Sequence, residues 1–169
     1  MNAGMKLAAA LILTAACAAL GWSAALKQTR RAKALRALCH AVSRLKEDML
    51  EKRMPLRDAL AASRHPLMTR AARESEACEP GEALRMAAAS LSMRGGELDS
   101  LTREDMAAIE RLAGELGQGG AARQRLLLSE TEEELCALAS GAEKLAAERG
   151  RLYVSLGALG GLALAVLMV

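Results

Sequence analysis

The sequence predicts an all-α protein: an antiparallel bundle of about six helices whose first and last helices extend as transmembrane spans. Three observations carry this expectation. First, Phe is absent, Trp22 and Tyr153 are the sole Trp and Tyr, and Ala, Leu, Arg and Glu dominate. That composition favours helix, because sheet draws on β-branched and aromatic residues. Second, charge is segregated: the tracts 7–26 and 152–169 carry none, and every acid and every Lys or Arg except Lys6 lies between them. Third, apolar residues beside each tract recur at helical 3-4 spacing.

Residues 1–6 are a short tail. At about 1.5 Å per residue the tract 7–26 spans about 30 Å, the hydrocarbon thickness of a bilayer. Its insertion rests on Leu7, Leu11, Ile12, Leu13, Leu20 and Leu26. At about −0.5 kcal/mol each they supply only about −3 kcal/mol, so the span is marginal. Lys27, Arg30, Arg31, Lys33 and Arg36 come directly after it. Such a cluster resists export, and these five are read as the topology-determining basic residues, holding the central part of the chain in the cytoplasm. A second reading stays open: Lys6 and the apolar run also suit a cleaved signal peptide. Thr14-Ala15-Ala16-Cys17 approximates a lipoprotein cleavage box, with Leu13 one position too early.

The middle domain, 27–151, is expected to be helical throughout. The first helix continues to Met54, with Leu35, Leu38, Val42, Leu45 and Met49 forming a narrow apolar seam. Pro55 ends it and opens a short helix, Leu56–Ser63. His65-Pro66 marks another boundary, before a helix running to about Cys78. Glu79-Pro80-Gly81 is read as a break before a helix over Glu82–Met93, and Arg94-Gly95-Gly96 as a loop. Thr102 and Asp105 approximate a capping box for Arg103–Leu116. Gly117-Gln118-Gly119-Gly120 is a turn.

From Ala121 one long helix runs through the second span. Leu128, Thr131, Leu135, Leu138, Ala142 and Leu145 form its seam, which is expected to pair with the Leu35–Met49 seam as an antiparallel stalk. Glu130, Glu132, Glu133 and Glu134 read as a solvated face, or one that meets an Arg-bearing neighbour. The last span, 152–169, has Lys144, Arg149 and Arg151 before it and no charge after it, which again puts the middle domain in the cytoplasm. Gly157, Gly160 and Gly161 are its expected helix-packing residues, because small side chains let another span approach closely. The Ala15/Ala19 face of the first span is a natural partner.

No chemistry is expected. The residues predict no catalytic group, no cofactor site and no metal site. Cys17, Cys39, Cys78 and Cys136 are widely spaced with no C-x-x-C pair, so neither a disulfide scaffold nor zinc is expected, and isolated thiols suit a reducing compartment. His40 adjoins the seam and His65 precedes a proline, both without a metal-ligand or catalytic constellation. The glycines at 117–120 lack the strand and the Lys-Ser/Thr of a phosphate loop. A net charge of +3 spread over a mixed middle domain does not make a nucleic-acid surface. Membrane lipids are expected contacts of the basic cluster. Pro55, Pro66 and Pro80 argue against a long signalling coiled coil.

One segment is more specific: Arg151-Leu152-Tyr153-Val154-Ser155-Leu156-Gly157-Ala158-Leu159-Gly160-Gly161-Leu162. With Pro55-Leu56-Arg57-Asp58-Ala59-Leu60, Leu101-Thr102-Arg103-Glu104-Asp105 and the run from Leu116-Gly117 to Gln124, it resembles the stage III sporulation protein AB family along essentially the whole chain. Gly119-Gly120 departs from the polar or acidic residues of that family, and no aromatic stands near Leu84 or Leu91. That family is similar to the cytoplasmic helical domain of the type II secretion and type IV pilus platform protein. The resemblance implies a non-enzymatic platform component of a secretion-like channel complex between mother cell and forespore, lying in the mother-cell membrane around the forespore. Its implied partners are a cytosolic ATPase of the stage III sporulation protein AA type and other membrane subunits of the complex; a homo-oligomer is compatible with it. The rival function is an exported or lipid-anchored helical protein acting outside the cell.

Overall fold

The computed structural model describes the backbone of residues 3–168. It describes side chains throughout 22–148 and at Ala15, Ala16, Ala19, Leu152, Ser155, Leu159 and Gly160. Six helices and no strand occur among the described residues: α1 (Ala3–Leu50), α2 (Leu56–Ala62), α3 (Pro66–Glu74), α4 (Pro80–Leu91), α5 (Arg103–Glu115) and α6 (Ala121–Met168). The all-α expectation holds. Two compact units divide the chain, one of residues 1–30 with 142–169 and one of residues 31–141. Among the described residues no helix is long and apolar enough to cross a membrane. Most side chains of the tracts 7–26 and 152–169 lie outside the described residues.

The unit 31–141 is built around the two seams. Leu35, Leu38, Val42 and Leu45 of α1 are buried, as are Leu128, Thr131 and Leu135 of α6. The two helices run antiparallel: Cys39 meets Cys136, while Lys46, further along α1, meets Glu132, earlier on α6. The Thr131 hydroxyl, buried in the seam, donates to the Leu127 carbonyl at 2.8 Å, so no polar atom is stranded there. Leu60, Leu67, Met68, Leu84, Ile109 and Leu112 supply the core of the short helices. α3 packs on both α2 and α4, and α4 packs on α5.

Several helix ends differ from expectation, and three of the differences have a local reason. α1 stops at Leu50, before Met54, because the backbone turns back on itself. The Lys52 amide reaches the Glu47 carbonyl at 3.3 Å and the Met54 amide reaches Asp48 at 3.0 Å. Arg53 takes the left-handed φ of 54° that closes such an end. α3 stops at Glu74, where Ser75 Oγ donates to the Ala72 carbonyl at 2.7 Å and tighter turns come next.

α4 starts two residues early, with Pro80 in its first turn, where a missing amide costs nothing. Gly81 is therefore not a breaker. A Cβ there would lie 2.2 Å from the backbone oxygen of Ala113 on α5, so glycine is what lets the two helices touch. Gly81→Ala is expected to destabilise the bundle by about 1–3 kcal/mol. Chemical denaturation of the full chain in mild detergent checks it; an unchanged midpoint would contradict the close approach. The loop 92–102 also hides a core residue, Leu98, whose amide bonds the Leu91 carbonyl at 3.1 Å.

Candidate interaction surface

Polar contacts between the helices hold in place the side chains that the surface presents. Asp105 opens α5 and is fully buried. Its carboxylate accepts the Thr102 amide at 2.8 Å, and its own amide donates to Thr102 Oγ1 at 3.3 Å, completing the capping box. The same carboxylate receives a two-pronged bond from Arg31 of α1, Nε at 2.7 Å and Nη2 at 2.8 Å. Burial pushes the Asp105 carboxyl up. The Arg31 bonds, the Thr102 amide and hydroxyl and the Arg31 charge outweigh it, and hold the group below the usual carboxylate range. Local spacing marks Asp105 as a cap and Arg31 as one of a basic cluster; it does not bring the two together.

Of the five basic-cluster residues, Lys27, Arg30, Lys33 and Arg36 are exposed. Arg31 is turned inward, its side chain 15% exposed. A topology test that neutralises this cluster therefore belongs on the exposed four, because losing Arg31 would also disturb the α5 cap.

The Glu130–Glu134 run is partly a fastening. Glu132 pairs with Lys46 of α1 and Glu134 with Arg111 of α5, while Glu130 and Glu133 stay exposed. Burial raises the Glu132 carboxyl, yet its hydrogen bonds to Lys46 and Ser43 bring it below the ordinary value. At the α5–α6 turn the buried Gln124 acts as a staple. Its amide donates to the carbonyls of Glu115 (2.9 Å) and Gln118 (2.6 Å) and its oxygen accepts the Gly117 amide at 3.2 Å. Gly117 sits at φ 82°, a conformation that makes glycine the residue of choice there.

The cysteine expectation needs correction. Cys39 of α1 and Cys136 of α6 are joined in a disulfide, with Cα atoms 5.4 Å apart. They are 97 residues apart in sequence, and only the antiparallel register of the two long helices brings them together. Cys78 is a free, half-buried thiol whose Sγ reaches the Glu74 carbonyl at 3.3 Å. Burial, with Glu82 and Glu74 nearby, raises its ionisation above the ordinary thiol value.

Two surface features remain. A groove of about 770 Å³ lies between α4 and α5, lined by Ala88, Ala89, Met106 and Ile109 with Arg85 and Glu110 among its charged members. A cavity of about 490 Å³ is lined by both histidines, His40 and His65, together with Arg44 and Arg64. No group of three or more His, Cys, Asp or Glu with metal-ligand geometry occurs among the described residues. At Gly160 an added Cβ would meet nothing within 4 Å. Gly157 and Gly161, the other two expected packing residues, lie outside the residues whose surroundings are described.

A family model described as Stage III sporulation protein AB matches residues 6–169. No curated protein and no solved structure gives a match.

Proposed function

Since this chain belongs to the stage III sporulation protein AB family, we propose that it is a non-enzymatic platform subunit of a sporulation-specific, secretion-like membrane complex. The observation that carries this reading is the family match over residues 6–169 on a chain whose charge, Lys6 apart, lies between two uncharged tracts. The tracts 7–26 and 152–169 would anchor it twice in the mother-cell membrane around the forespore. The exposed Lys27, Arg30, Lys33 and Arg36 would hold the helical unit in the cytoplasm. There it would meet the complex's cytosolic ATPase, of the stage III sporulation protein AA type, while its anchors meet the other membrane subunits. Cross-braced by Arg31–Asp105, Lys46–Glu132 and Arg111–Glu134, the bundle is suited to transmit position rather than to perform a reaction.

Two measurements test the proposal. The protein should stay in the membrane pellet through alkaline extraction, and the full chain in mild detergent should capture the purified ATPase. Release into the supernatant together with failure to bind would overturn it.

A second reading is favoured by one observation, the Cys39–Cys136 bond. Disulfides persist in oxidising compartments, and thiol-reducing systems oppose them in the cytosol. An exported or lipid-anchored protein would keep the bond without protection. Cys78 separates the two readings. In right-side-out vesicles of the unaltered chain, a membrane-impermeant maleimide, located by peptide mass mapping, should leave Cys78 unlabelled if the bundle is cytoplasmic. It should label Cys78 if the bundle is outside. The raised thiol ionisation slows the reaction, so labelling after detergent opening sets the full signal.

A further inference from the structure

Both histidines of the chain converge on one cavity, although 25 residues separate them in a sequence that holds no other. His40 and Arg44 come from one face of α1, a turn apart. Arg64 and His65 come from the turn between α2 and α3. The cavity, about 490 Å³, also takes in Ser43, Ser63 and Pro66 and has no acidic residue in its lining. In a chain with 20 acids that one-sidedness is informative.

Both arginines are exposed, and two of them around a hollow without an acid give it a positive potential that favours an anion. Neither Arg44 nor Arg64 has an ion-pair partner among the described residues. The acids of the adjoining cavity, which both arginines also line, are already answered: Lys52 holds Asp48 at 2.7 Å and Glu47 at 3.1 Å. Glu132 is held by Lys46 and Ser43.

The turn is built to present its donors. Arg64 sits at φ 55°, a left-handed backbone. Ser63 Oγ donates to the Leu60 carbonyl at 3.1 Å and accepts the His65 amide at 3.4 Å, which fixes that kink. His65 Nδ1 accepts the Leu67 amide at 3.3 Å and caps α3. That bond leaves the ring proton on Nε2, on the opposite edge of the ring. Burial keeps this imidazole below its ordinary ionisation range, so it offers a neutral N–H, and the charge comes from the arginines.

We propose that this cavity binds a phosphate group, free or carried by a lipid headgroup, held by the guanidinium groups of Arg44 and Arg64 and by the imidazoles of His40 and His65. Guanidinium forks match phosphate oxygens in pairs. Donors arriving from two separate segments suit a tetrahedral anion better than a planar carboxylate. The positive end of α3, which starts at Pro66 in the cavity lining, adds to the attraction. The volume lies within the range of small-ligand sites and leaves room beyond the phosphate itself.

The two imidazoles are the only ones in the protein, so their C–H resonances report the site directly. Inorganic phosphate is titrated into the full chain in mild detergent, against sodium chloride of matched ionic strength. Both imidazole signals should shift saturably with phosphate and not with chloride. Arg44→Gln and Arg64→Asn, the latter because asparagine tolerates the left-handed backbone, should each weaken binding by about tenfold or more. Arg103→Gln, at an exposed arginine outside the cavity, should leave it unchanged. Helicity and thermal midpoint confirm that each variant is folded, and Arg44→Lys, which keeps the charge and loses the fork, should fall in between.

A second arm replaces free phosphate with nanodiscs of phosphatidylglycerol or of phosphatidylcholine. A shift on the anionic lipid alone identifies a headgroup, and a shift on free phosphate alone identifies the small ion. The proposal is overturned if neither probe moves the imidazoles, if acetate binds as tightly as phosphate, or if Arg103→Gln weakens binding as much as the cavity variants do.

Discussion

Asp105→Asn is expected to destabilise the helical bundle by about 3–5 kcal/mol, read from chemical denaturation of the full chain in mild detergent. Asparagine keeps an oxygen for the Thr102 amide, so the cap of α5 survives and the loss reports the charge. What remains is Arg31, with a side chain 15% exposed, one prong left on a neutral oxygen and the other facing the asparagine NH2. Arg31→Gln should cost a comparable amount, because a fully buried carboxylate would then keep only its bonds from the Thr102 amide and hydroxyl. The double variant, a neutral hydrogen-bonded pair, should recover a large part of both losses. Strict additivity would show that the two side chains do not act as a unit.

The pH dependence has a definite sign. Asp105 is held below its unfolded value, near 3.9. Its contribution is therefore present above about pH 4 and is lost as pH falls through the folded value. Asp105→Asn should lack that acidic limb and differ most from the parent at neutral pH. A parent and variant that lose stability in parallel from pH 5 to pH 2 would contradict the assignment.

The parts of the fold that were legible in the sequence are those set by local spacing. The seam Leu35–Leu45 and its counterpart Leu128–Leu135 repeat at 3-4 intervals, and each is buried as that spacing demands. Pro55, Pro66 and Pro80 act locally, through a missing amide and a fixed φ, and each stands at the start of a helix. Thr102 and Asp105 are three residues apart, so their cap was visible as well. What was not legible depends on register between distant segments. Arg31 and Asp105 are 74 residues apart, and Cys39 and Cys136 are 97 apart. Nothing in either neighbourhood says how far one long helix is slid along the other. The same holds for His40 and His65, each bland in its own window and joined only by the way α2 and α3 fold back on α1. Gly81 misled for a related reason: its neighbours say turn, while its actual constraint comes from Ala113 on another helix.

The Cys39–Cys136 bond leads to the second large effect, and to a way of measuring that register. Reducing it should lower stability by about 3–5 kcal/mol, since it closes a loop of nearly the whole helical unit and so restricts the unfolded chain. Thiol titration of the unfolded protein should gain two thiols on reduction, and none in a Cys39→Ala/Cys136→Ala variant. Reduction and double substitution should destabilise by similar amounts, with substitution somewhat the worse because Cys39 is 4% exposed and its sulfur is packed. The bond also locks the pairing of α1 with α6 at one point, four residues on α6 from the Lys46–Glu132 contact. Lys46→Gln should therefore cost little while the disulfide is intact and more once it is reduced, because only then do the half-exposed charges help to set the register. Equal costs in both states would mean that the two contacts hold the helices independently, and no thiols gained on reduction would mean that the sulfurs are not joined.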